Sequence, residues 1–173
     1  VGFTNVAKDV AVDARTARLA GVGLEGRNAW IDGRSLAPLP LLDAARRVVV
    51  LDGLLALAGF HSGPLVARRD GTRLTALARA GETVLDLEPD PDRRHAIALT
   101  NTGSVYHIDG PAEAIEKLTT VESGRAVALG PGELAVVATD TNLIRVGGWQ
   151  VPLSGLIHDI AISPDGQWVA GAL

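Results

Sequence analysis

The side chains in this sequence best suited to chemistry are its four histidines, His61, His95, His107 and His158. A neutral imidazole can ligate a metal or move a proton near physiological pH. A ligand pair on one element needs i, i+2 spacing on a strand or i, i+4 spacing on a helix. No two of the histidines have either spacing, and neither HExxH nor GxSxG occurs. They are expected to be surface or packed residues. Cysteine is absent, which removes thiolate ligands, thiol nucleophiles and disulfides. No serine has a basic partner in a recognisable frame. The glycine-rich run Gly21 to Gly26 falls at a hairpin turn instead of a strand-to-helix junction, so it is not a phosphate cradle. No catalytic, metal or cofactor residue is assigned on these grounds, and the chain is expected not to be an enzyme.

Composition narrows the partners. Of 173 residues 47% are hydrophobic and 21% charged, which sets the chain among globular domains with one real core. The net charge is −4 and no basic run exceeds a pair, which argues against binding nucleic acid through phosphate contacts. No apolar run is long enough for a membrane span, and the first residues carry no signal-peptide pattern. Cytoplasmic placement and processed extracytoplasmic placement both stay open. Methionine is missing even at position 1, so the chain is expected to start after processing or to be a piece of a longer protein.

A period organises the whole length. Turn signals recur at Asp32-Gly33, Asp70-Gly71, Asp109-Gly110 and Gly147-Gly148, in steps of 38, 39 and 38 residues. A constant period near forty, filled by short apolar runs, predicts a radial or stacked β-repeat. Second strands are expected at Leu19 to Val22, Leu54 to Ala58, Ala96 to Leu99, Leu134 to Val137 and Val169 to Ala172. Their near-continuous apolarity suits strands buried on both faces. Third strands follow at 28–31, 64–68, 104–108 and 142–146, and outer strands carry Leu36, Leu74 and Val151. An α-β repeat is the competing reading, since 41–47 and 111–118 also read as helix turns.

Aligning the units places a charged residue on each first strand, in the order Asp9, Arg47, Asp86, Arg125, Asp159. The signs alternate. These five are the candidate site: a ring of salt bridges between neighbouring first strands, or a charged rim that takes a partner's loop. Trp168 opens the last second strand and is expected to cap its sheet. Trp149 follows a Gly-Gly turn on an outer strand and is the candidate exposed aromatic contact.

The stretch from Ile157 to Ala170, with Ser163-Pro164-Asp165-Gly166 at its centre, resembles the first hairpin of a WD-repeat propeller blade. Val84 through Asp92 echoes it. The Gly-His and Trp-Asp pairs of many such blades are missing, so the chain is similar to degenerate bacterial propellers. Those occur in signalling ATPases, protein kinases and the actinobacterial lipoprotein family LpqB. The resemblance implies an all-β propeller segment of four antiparallel four-stranded blades plus a partial fifth, as one domain over 1–173. Blades are expected near 7–40, 41–78, 79–118 and 119–155, with 156–173 the partial one and residues 1–6 an added outer strand. It further implies a non-catalytic scaffold for a protein partner, without cofactor, within a larger signalling or sensing protein. The remainder of a larger chain, or a second copy at the open blade edge, would complete the ring. A propeller that binds a ligand or peptide over its channel is the alternative, and a propeller hydrolase or lyase is the third reading.

Overall fold

The computed structural model describes residues 7–13, 18–23, 29–31, 34–35, 45–51, 54–59, 63–70 and 73–172. The Asp32-Gly33 turn, the glycine of Asp70-Gly71, Leu36 and the proposed strand over 1–6 lie outside them.

The architecture is all-β. The first sheet holds β1 (Ala7–Asp13), β2 (Arg18–Gly23), β3 (Ala29–Ile31) and β4 (Arg34–Ser35). The second holds β5 (Ala45–Leu51), β6 (Leu54–Gly59), β7 (Leu65–Asp70) and β8 (Arg73–Arg79). In the third are β9 (Val84–Pro89), β10 (His95–Thr100), β11 (Ser104–Asp109) and β12 (Ala114–Thr120). The fourth holds β13 (Gly124–Leu129), β14 (Ala135–Thr139), β15 (Asn142–Arg145) and β16 (Gln150–Pro152), and β17 (Asp159–Ile162) pairs with β18 (Val169–Ala172). Strand order within each sheet follows chain order, and every pairing is antiparallel. The helical reading of 111–118 fails, because 111–113 form a turn and Ala114 to Thr120 pair with β11.

Each sheet is joined to the next by its first strand: β1 packs on β5, β5 on β9, β9 on β13 and β13 on β17. The core is therefore a series of slabs between consecutive sheets. Val49, Leu51, Val66, Ala96, Ala98 and Ile108 fill the slab between the second and third. Ile97, Leu99, Val127, Leu129 and Val137 fill the next, and Ala126, Ala128, Val136, Ile157 and Ile160 the last. Second strands must be apolar on both faces under this arrangement, and all five residues of β14 are buried. Small aliphatics let sheets approach closely without voids.

The turns explain the repeating punctuation. Gly166 sits at φ +71°, a backbone state glycine adopts without steric cost, and its N–H donates to Ser163 O over 2.8 Å. At Gly110 a Cβ would stand 2.5 Å from Arg94 O, so the Asp109-Gly110 turn admits no side chain there. Trp168 departs from expectation. Its side chain is 76% exposed and does not cap a sheet, because β17 and β18 have no further strand or sheet over that side among the described residues.

Candidate functional site

The first strands share a device that makes them a site. Each of the four large sheets has a β-bulge near the start of its first strand, leaving Lys8, Arg46, Leu85 and Arg125 as the extra residues. A bulge re-aims the side chain that follows it. The following residues are Asp9, Arg47, Asp86 and Ala126, and Asp159 takes the same place at the start of β17. The structural series is thus Asp, Arg, Asp, Ala, Asp. Arg125 stands one residue early, on the bulge, and its Nε donates to Asp140 Oδ1 within its own sheet. The β13–β14 hairpin is one residue shorter than that of β9 and β10, Leu129 facing Ala135 where Pro89 faces Ala96, so a gapless count falls one residue early.

Asp9 and Asp86 act as staples between sheets. Asp9 Oδ1 accepts from Val10 N (3.0 Å) and Oδ2 from Val48 N of the second sheet (2.9 Å). Asp86 repeats the arrangement, accepting from Leu87 N (3.0 Å) and from Val127 N of the fourth sheet (3.0 Å). Arg47 Nη2 reaches Asp86 Oδ1 at 3.3 Å, the one ion pair of the expected ring found between first strands among the described residues. Asp159 Oδ1 accepts from Ile160 N (2.9 Å), as the other two accept from their own next residue. No N–H of a further strand reaches Asp159 among the described residues, and it is exposed.

These acids crowd one another. Burial, then the Asp86 charge, push the Glu88 carboxyl up to about 7 against the opposing pull of Arg47, with Asp159 and Asp9 adding to the rise. Asp86 is also raised, mainly by burial, while its hydrogen bonds and Arg47 oppose that. Glu88 lines a cleft of about 310 Å³ with Pro89, Asp90, Arg93, Leu129 and Ile160. This acidic cleft was not legible in the sequence, because it needs three first strands side by side.

A second polar cluster lies at the opposite end of the third sheet. The Glu82 carboxylate accepts from Thr100 Oγ1 and Thr102 Oγ1, both at 2.6 Å, and from the Tyr106 hydroxyl at 3.2 Å. The Thr100 and Thr102 hydroxyls are the main causes of its fall from 4.5 to about 2. A carboxyl whose folded pKa is depressed contributes stability above its unfolded value and loses it as pH falls. Wild-type stability should therefore decline between pH 4.5 and about 2 through this group, and Glu82→Gln should flatten that limb in a series of melting temperatures.

The structure also joins two histidines that their spacing kept apart. Ile97 faces His107 and His95 faces Asp109 across β10 and β11, so all four side chains share one face. Their rings lie 5.2 Å apart, centroid to centroid. Trp149 is 40% exposed and stands beside exposed Val151.

No family model matches the chain, and no curated protein is similar to it.

Proposed function

We propose that the chain is an arc of a WD-repeat-like β-propeller and serves as a non-catalytic scaffold for a protein partner. One observation carries this reading: the ordered side-by-side packing of five first strands, stapled by Asp9 and Asp86 at matching positions. Radial repetition of four-stranded antiparallel sheets around their inner strands is the propeller principle. The exposed apolar side chains Trp149 and Val151 support a protein partner, since aromatic residues anchor interfaces.

Among the described residues, no strand covers either outer face of the arc. On β1, Val10 and Val12 are 50% and 52% exposed, whereas their equivalents Val48 and Val50 are buried. On β17 the face bearing Asp159 and Ala161 is exposed, whereas the equivalent Ala11 is buried against the second sheet. The occupant that fits β17 is the first strand of another sheet, with a non-acidic residue opposite Asp159 and an aliphatic residue next. Arg47-Val48 and Ala126-Val127 are the two examples within the chain. A basic residue fits best, because Asp86, Asp159 and Asp9 all bear on Glu88, with Arg47 the one cation opposing them among the described residues.

Light scattering on a sizing column tests the reading. The chain alone should self-associate with concentration through these faces, and Ala161→Arg should reduce that association without loss of the folding transition. A wild-type monomer with cooperative unfolding at high concentration would overturn it. The cleft at Glu88 favours a second reading, a propeller that senses a cationic ligand or peptide near its axis.

A further inference from the structure

We propose that His95, His107 and Glu133 form a binding site for a divalent transition-metal ion of the zinc type, between the third and fourth sheets. One potential ligand atom from each of the three lies within 4.8 Å of the others. His95 and His107 come from adjacent strands on the sheet face that packs against the fourth sheet, beside Ile97 of the shared core. Glu133 comes from the fourth sheet, on the turn Pro131–Glu133 that links β13 to β14.

Two further observations point to a ligand. His107 Nε2 is buried and has no hydrogen-bond partner. Buried polar nitrogens in folded proteins are almost always satisfied, and an orphan calls for an explanation. The second is the setting of His95. Its Nδ1 lies 3.2 Å from Asp90 Oδ2, and Asp90 is itself held by the N–H groups of Arg94 and His95 at 2.9 and 3.1 Å. A carboxylate on one imidazole nitrogen fixes the tautomer and frees the other nitrogen to ligate, as around protein-bound zinc. His95 Nε2 is that other nitrogen. It sits 3.8 Å from Asp109 Oδ1, close enough for Asp109 to accept a hydrogen bond from a metal-bound water.

Two imidazoles and a carboxylate suit zinc, whereas calcium and magnesium take oxygen ligands. Zinc–ligand distances of roughly 2.0–2.1 Å require the three atoms to draw together. Glu133 is exposed, so its side chain can make that movement without disturbing the core. Three protein ligands leave a fourth position for water. The inference stands independently of the propeller reading, since it needs only the third and fourth sheets.

The test is a calorimetric titration of the metal-free full chain with Zn²⁺, paired with NMR of the imidazole signals. Wild type should take up one ion per chain, melt at a higher temperature with zinc, and show the His95 and His107 signals moving together. Co²⁺ should give the visible ligand-field bands of a low-coordinate nitrogen–oxygen site. Glu133→Gln, on an exposed turn, should weaken Zn²⁺ binding at least ~10-fold while the metal-free protein melts unchanged, and His107→Gln should abolish it. Asp90→Asn should weaken binding as a positioning change, with the stoichiometry retained. Absence of saturable uptake by wild type would overturn the proposal. So would uptake that is unaltered in both Glu133→Gln and His107→Gln.

Discussion

Asp86→Ala should cost about 3 kcal/mol of folding stability, measured by denaturant unfolding near neutral pH. The substitution strands two backbone donors, Leu87 N–H and Val127 N–H, and leaves the Arg47 guanidinium without its carboxylate. Asp86 is only 7% exposed, so water cannot readily replace the lost acceptors. Asp86→Asn should cost about half as much, since one acceptor oxygen remains. The equivalent Asp9→Ala should cost only about 1 kcal/mol, because its bond to Val48 N is part-buried and no ion pair accompanies it among the described residues. Equal costs at the two positions would show that the staple contributes through something other than burial. A swap of Asp86 with Arg125 should not restore stability, because the partner of Arg125 is Asp140.

Glu88→Gln should stabilise the protein, and by an amount that depends on pH. The folded pKa of Glu88 is raised from 4.5 to about 7, chiefly by burial. Ionisation therefore opposes folding. Below pH 4.5 the group is protonated in both states and has no effect. Stability then falls as pH rises through the window to about 7, and stays lower above it. At pH 8 the glutamine variant should exceed wild type by on the order of 2–3 kcal/mol, and below pH 4 the two should converge. Unfolding curves across that range provide the check. A gain that persists at low pH would mean that packing, not charge, sets the difference. A cationic ligand in the cleft should act in the same direction as the substitution, by neutralising the carboxylate field.

Much of the fold was legible residue by residue. The apolar runs at Leu54 to Ala58 and Ala96 to Leu99 became β6 and β10, since only strands covered on both faces tolerate such continuity. Ser163-Pro164-Asp165-Gly166 encodes its turn locally: Asp165 Oδ1 accepts from Gln167 N and from Ser163 Oγ, and the Ser163 oxygen accepts from Trp168 N. Such bonds span a few residues and need nothing from the rest of the chain. The equivalence of Asp9, Arg47, Asp86 and Asp159 was visible by the same counting.

Three features were not. The place of Arg125 on the bulge, not after it, depends on the β13–β14 hairpin, which has one residue fewer between paired Leu129 and Ala135 than the β9–β10 hairpin has between Pro89 and Ala96. The exposure of Trp168 depends on which strands lie beside β18. The meeting of His95 with His107 depends on the register of β10 against β11, and that of both with Glu133 on the docking of two sheets.

Sequence alone determined the period, the strand and turn positions and the recurrence of a charged residue near the start of each first strand, because each is written in local alternation, turn chemistry and charge. The tertiary structure decided which carboxylates become staples, how far Glu88 is desolvated and which histidines share a site. Those outcomes arise from contacts across strands and between sheets, the staples joining residues about forty apart, where burial and distance set the energies and sequence spacing is silent.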